Sequence, residues 1–224
     1  EVWPRPQYRI SLLQCRPLSE QRAGSNVRAP QNVPPQDVLF SAHRQIPQGV
    51  VQRVRYIVYV DPLCYQQIAS VEQRLQVGRA IGRLNERLRE EQFVLMGPGR
   101  WGTSDINLGV KVSYADIYNS RALIEIAHSD NNVTPEMAYG THFFQDLVEA
   151  QIFPLALFPH EPGNVYNWDF FNNAHNCLPD LLPEDADLAC VIRVIDVPAE
   201  TGGRYLEIVM DGEHDEALGY LREY

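Results

Sequence analysis

Phe93 to Asp105 reads FVLMGPGRWGTSD, a short apolar run followed at once by three glycines, a proline, an arginine and a tryptophan. Glycine at Gly97, Gly99 and Gly102 frees the backbone to take positive φ and to approach another group closely. Arg100 adds a permanent cation with a planar donor fork suited to phosphate or carboxylate. Such a loop is shaped for a small anion, with Gly97, Gly99, Arg100, Trp101, Gly102 and Lys111, the only lysine in the chain, as the residues to hold it. The stretch is neither a phosphate-cradling P-loop, for want of the terminal Lys-Ser/Thr, nor a dinucleotide fingerprint. It reads equally as a tight structural turn with Trp101 plugged into a core.

Around this loop stand further groups with chemistry. The sequence GTHFF puts His142 in the first turn of a helix capped by Thr141, where free N–H groups and the helix dipole attract anions. His142 is thus a candidate phosphate ligand or phospho-acceptor, the alternative being a histidine bonded to a neighbouring loop. Asp105, Asp116, Glu125 and Asp146 fall towards the same end of the expected sheet, and Asp105 and Asp146 are the candidates for a magnesium ion, or else caps and turns. The other five histidines lie in polar, loop-like contexts without metal spacing. Arg79, Arg83 and Arg87 recur every four residues near Glu72, Glu86 and Glu90, the pattern of an ion-paired helix face.

The elements that must position these groups follow from periodicity. VVQRVRYIVYVD reads as one strand, and apolar residues at steps of three and four from Ile68 to Leu88 read as one long helix. Strands FVLM, LGVKVSY and RALIEIA come next, then the helix from Thr141 and a buried strand from Ile152 to Phe158. CVIRVIDVP and GRYLEIVMD read as two strands joined by a turn at TGG. The fold class is therefore α/β, a mixed sheet with flanking helices, formed by residues 50–224. Residues 20–49, rich in Pro, Gln, Asn and Ser, read as a linker or extended arm, and 1–19 as the terminal strand of another domain.

Composition bounds the function. The 224 residues are 45% hydrophobic and 21% charged, enough for a full core, and the net charge of -10 gives no basic face for nucleic acid or a membrane surface. No apolar run approaches a membrane span, EVWPRPQYRI is not a signal peptide, and Cys15, Cys64, Cys177 and Cys190 show no C-x-x-C spacing. Reduced, buried thiols in a cytoplasmic protein are expected.

The strand SLLQCRP, which ends in Gln-x-Arg-Pro, resembles the last strand of the ATP-grasp domain in phosphoenolpyruvate synthase and pyruvate phosphate dikinase. YIVYVD, GPGRWGTSD, LGV and YGTHFFQDL resemble the C-terminal region of bacterial PEP/pyruvate-binding-domain proteins, over roughly Val50 to Val197. The resemblance implies a parent ATP-dependent phosphotransferase using ATP and Mg, with Gln14 and Arg16 lining the nucleotide site. It implies a small anionic ligand, and as partner a nucleotide-binding domain of the same or another chain. The family's Gly-Gly-x-Thr-x-His segment and PEP-binding barrel have no counterpart in this sequence, so the chain is expected to be a C-terminal piece or a product of domain loss that neither hydrolyses ATP nor makes PEP alone. The alternative is a non-catalytic binding or assembly domain, with Trp101 and Trp168 shaping an interface.

Overall fold

The computed structural model describes residues 27–103, 105–127 and 142–224, with His142 described by its backbone only. Five strands, β3 (Tyr56–Val60), β4 (Phe93–Pro98), β5 (Ala122–Ile126), β6 (Phe153–Leu157) and β7 (Ile192–Asp196), form a sheet in the order β6-β5-β4-β3-β7. β3 to β6 run parallel and β7 antiparallel. The mixed α/β architecture expected from the sequence is what the chain adopts. A second, antiparallel sheet, ordered β1-β9-β8-β2, comprises β1 (Val38–Ala42), β2 (Gly49–Val54), β8 (Tyr205–Asp211) and β9 (Glu216–Arg222).

Three layers result. Period-two alternation sends Ile57, Tyr59, Val94, Met96, Ile124 and Ile126 to one face of the five-stranded sheet, where they meet Leu206, Ile208 and Met210 of the second sheet. Val58, Val60, Phe93, Leu95 and Leu123 face the other way, against helix α2 (Val71–Arg87), which buries Val77, Ala80, Ile81 and Leu84. Helices α1 (Pro62–Gln67), α3 (His142–Glu149) and α5 (Leu178–Leu181) share that layer, while α4 (Trp168–Asn173) inserts Phe171 between the sheets.

Several expected elements divide differently. VVQRVRYIVYVD is two strands in two sheets, broken where Arg53 takes φ of 53° and Arg55 turns to donate to Asp196 at 3.1 Å and Glu91 at 3.0 Å. The expected long helix is two, because Ser70 caps a fresh start by accepting from the Gln73 N–H. LGVKVSY has no ladder beyond the isolated bridge Gly99–Gly109, although Val110 and Val112 are buried. The TGG turn closes α6 (Val197–Thr201), with Gly202 at φ of 68°, and carries the chain from one sheet to the other.

The expected linker holds β1, whose Leu39 and Phe40 are fully buried and whose partner is β9, an element the alternation in EALGYLR did not bring out. The boundary at 50 falls inside β2. Residues 1–19 lie outside the described residues.

Candidate functional site

All four parallel strands end at one edge of the sheet, and the loops that leave that edge are where ligands bind in open α/β folds. The glycine loop leaves it from β4. Every glycine there answers to a neighbour. A Cβ on Gly97 would lie 2.7 Å from the Trp101 ring, and one on Gly102, at φ of 70°, would lie 2.6 Å from the Phe143 ring. Gly99, at φ of 61°, leaves no room for a Cβ beside the Leu108 carbonyl, and Gly109 none beside the Arg100 backbone. Trp101 is 1% exposed, folded back against β4 in the helix-side core.

The loop's backbone donors are spent. Gly99 N–H donates to the Ile126 carbonyl at 3.2 Å, Arg100 N–H to Leu108 at 2.7 Å and Gly102 N–H to Val110 at 3.2 Å. Trp101 N–H donates to the Glu125 carboxylate at 2.8 Å. The loop folds onto its own neighbours and saturates these four N–H groups, which leaves them none to offer an anion. What remains at its tip is the Arg100 guanidinium, half-buried and without a hydrogen-bond or ion-pair partner among the described residues. Lys111, exposed, follows directly on Val110.

The structure brings the first turn of α3 to this loop, because the Phe143 ring packs on Gly102. His142 opens α3, so its backbone stands beside the loop. Glu125, 6% exposed at the end of β5, is the buried carboxylate of the edge. Asp105 is exposed and closes its own turn, its Oδ1 accepting from the Asn107 N–H at 2.9 Å and Nδ2 at 3.0 Å. Asp146 lies exposed on α3, and no group of three metal-ligating side chains occurs among the described residues. Gln14 and Arg16 lie outside the described residues.

Arg79 pairs with Glu72 at 2.9 Å as the charge pattern implied, but Arg83 reaches across to the buried Asp185 with two bonds of 2.7 and 2.5 Å, and Glu86 and Glu90 pair with Arg89, not with the arginine row. Of the described cysteines, Cys64 and Cys177 are half-buried and Cys190 is exposed, and all three are free, so the expectation of buried thiols holds only in part. Burial, with Asp61 nearby, pushes the Cys64 thiol up, away from a reactive thiolate.

Two residues at the site escaped the sequence reading. Tyr65 on α1 donates to the Gly109 carbonyl at 3.0 Å, and Arg74 on α2 donates to the Ile106 carbonyl at 3.2 Å and to Asn107 Oδ1 at 2.9 Å. Burial pushes the Tyr65 hydroxyl above its ordinary range, against the pull of Arg74, so it stays a donor. Neither has a local signal, since a tyrosine on an amphipathic helix looks like core and an arginine like surface. The chain shows no significant match to any protein-family model, curated protein or solved structure.

Proposed function

We propose that this chain is an anion-binding module of an ATP-dependent phosphotransferase resembling phosphoenolpyruvate synthase and pyruvate phosphate dikinase. Its ligand is a small phosphate- or carboxylate-bearing molecule, and its charged contact is Arg100. ATP and magnesium belong to the partner nucleotide-binding domain, and the chain by itself has no turnover. One observation carries the proposal: the loop is pinned through the N–H groups of Gly99, Arg100, Trp101 and Gly102, yet the guanidinium at its tip is left with no partner among the described residues. A rigid backbone presenting an unspent bidentate donor beside a helix N-terminus supports recognition of a planar or tetrahedral anion. His142, whose backbone opens α3 beside the loop, and Lys111, which follows Val110, are the candidate phospho-acceptor and second cation. A cytoplasmic location is part of the proposal, supported by the free thiols of the described cysteines and by the lack, among the described residues, of a helix long and apolar enough to cross a membrane.

Calorimetric titration with phosphate, pyrophosphate, PEP and ATP tests the reading. Arg100→Ala should weaken the best ligand about tenfold or more, since a charge-assisted bond contributes about 1.5 to 3 kcal/mol. Arg100→Lys should also weaken it, because an ammonium cannot make the two-pronged contact. A second reading, a non-catalytic assembly domain, draws on the exposed apolar side chains Leu63, Val71 and Leu108, at 50%, 60% and 50% exposure. Absence of binding at millimolar concentration, together with self-association weakened by Leu108→Ser, would decide for that alternative.

A further inference from the structure

We infer that Arg74 and Tyr65 are positioning residues, a latch between the helix layer and the glycine loop that sets where Arg100 points. The effect on affinity rests on the anion-binding reading above, whereas the latch itself does not. Arg74 spends its fork on backbone: Nε–H donates to the Ile68 carbonyl at 2.9 Å, Nη2 to Gln66 at 3.3 Å and Nη1 to Ile106 at 3.2 Å, with Asn107 Oδ1 at 2.9 Å. Its guanidinium carbon lies 5.4 Å from the centre of the Tyr65 ring. Tyr65, 3% exposed, donates from the same side to the Gly109 carbonyl and, more loosely at 3.4 Å, to that of Ile106.

The chain of contacts then runs inward. Segment 106–109, held by these two side chains, offers the Leu108 carbonyl to the Arg100 N–H and the bridge partner Gly109 to Gly99. Neither Arg74 nor Tyr65 is bonded to Arg100, so both act through 106–109. Arg74 also ties down the Gln66 carbonyl in the last turn of α1 and the Ile68 carbonyl just after it, so loop and helix pair are locked by one guanidinium. A lysine could not replace it, because the donors diverge in a plane towards four acceptors.

Hydrogen exchange and pyrophosphate titration on Arg74→Gln and Tyr65→Phe decide the matter. The latch predicts at least tenfold faster exchange at the Arg100 and Gly102 amides, with the β3 and β4 amides at Ile57, Val58 and Leu95 unchanged. It also predicts severalfold weaker pyrophosphate binding in each variant. Arg74→Gln combined with Arg100→Ala should bind no more weakly than Arg100→Ala alone, a coupling that a merely structural role would not produce. Unchanged exchange at Arg100 and Gly102, or loss of protection spread evenly over β4, would overturn the latch. If the unaltered chain binds none of phosphate, pyrophosphate, PEP and ATP, the anion reading falls, and the exchange pattern still decides the latch.

Discussion

Gly99 and Gly202 have similar backbone angles, φ of 61° and 68°, but opposite surroundings. A Cβ on Gly202 meets nothing within 4 Å, whereas on Gly99 it runs into the Leu108 carbonyl. Gly202→Ala should therefore show left-handed strain alone, about 1 kcal/mol, and Gly99→Ala about 3 kcal/mol or more from strain plus collision. Chemical denaturation of both measures the difference, and equal losses would mean that 106–109 does not press on the loop. The glycines stood out in the sequence because nothing else tolerates such backbone. Their reason did not, since Leu108 and Phe143 reach the loop only through a bridge and a helix placed by the fold. Arg100 was legible as the charged group of the loop, and the saturation of the neighbouring N–H groups was not.

At the level of elements, strong periodicity located β4, β5, β6 and α2 to within a few residues, and the errors came where local pattern and tertiary pairing part. Alternation continues through Val50 to Val60, but Arg55 stops the ladder by pairing with Asp196 and Glu91, and the two halves enter different sheets. Partial burial works to lower the Arg55 guanidinium, but the direct bond to Asp196 and the charges of Asp196 and Glu91 outweigh it and raise the guanidinium above its ordinary value. β1 was hidden by Pro- and Gln-rich flanks, although its core role is plain from Phe40, which lies under Gly219 of β9 and is fully buried. Phe40→Ala should cost about 3 to 5 kcal/mol by denaturation, the range for emptying a buried aromatic site, where an extended arm would lose almost nothing. A loss below about 1 kcal/mol would return this stretch to the arm.

Across the molecule, the outer face of the four-stranded sheet is held by one buried carboxylate. Glu207, 3% exposed, accepts from Tyr220 Oη at 2.7 Å, from Arg222 Nη1 at 2.7 and 3.0 Å and from Tyr224 Oη. Burial first, and then the bond to Glu207, pushes the Tyr220 and Tyr224 hydroxyls up to about 12 from an ordinary value near 10. Because the folded values are raised, the stability these groups contribute is complete below about pH 10 and is lost as pH rises through about 12. Melting between pH 9 and 12 should show this loss, and Tyr220→Phe with Tyr224→Phe should make it shallower, the remainder coming from Tyr56, Tyr59, Tyr65 and Tyr166, whose hydroxyls are also raised, and from the raised Cys64 and Cys177 thiols. An unchanged slope would contradict the assignment. The sequence by itself determined the mixed α/β class, the strands β4, β5 and β6, the apolar face of α2 and the place of the glycine loop at a strand end, because short-range periodicity and glycine stereochemistry are local properties. Only the tertiary structure decided that a second sheet covers the far face, that residues 38–42 belong to the core, and that the loop's N–H groups are consumed by Ile126, Leu108, Glu125 and Val110. Those outcomes depend on strand pairing and burial between segments distant along the chain, which no local pattern encodes.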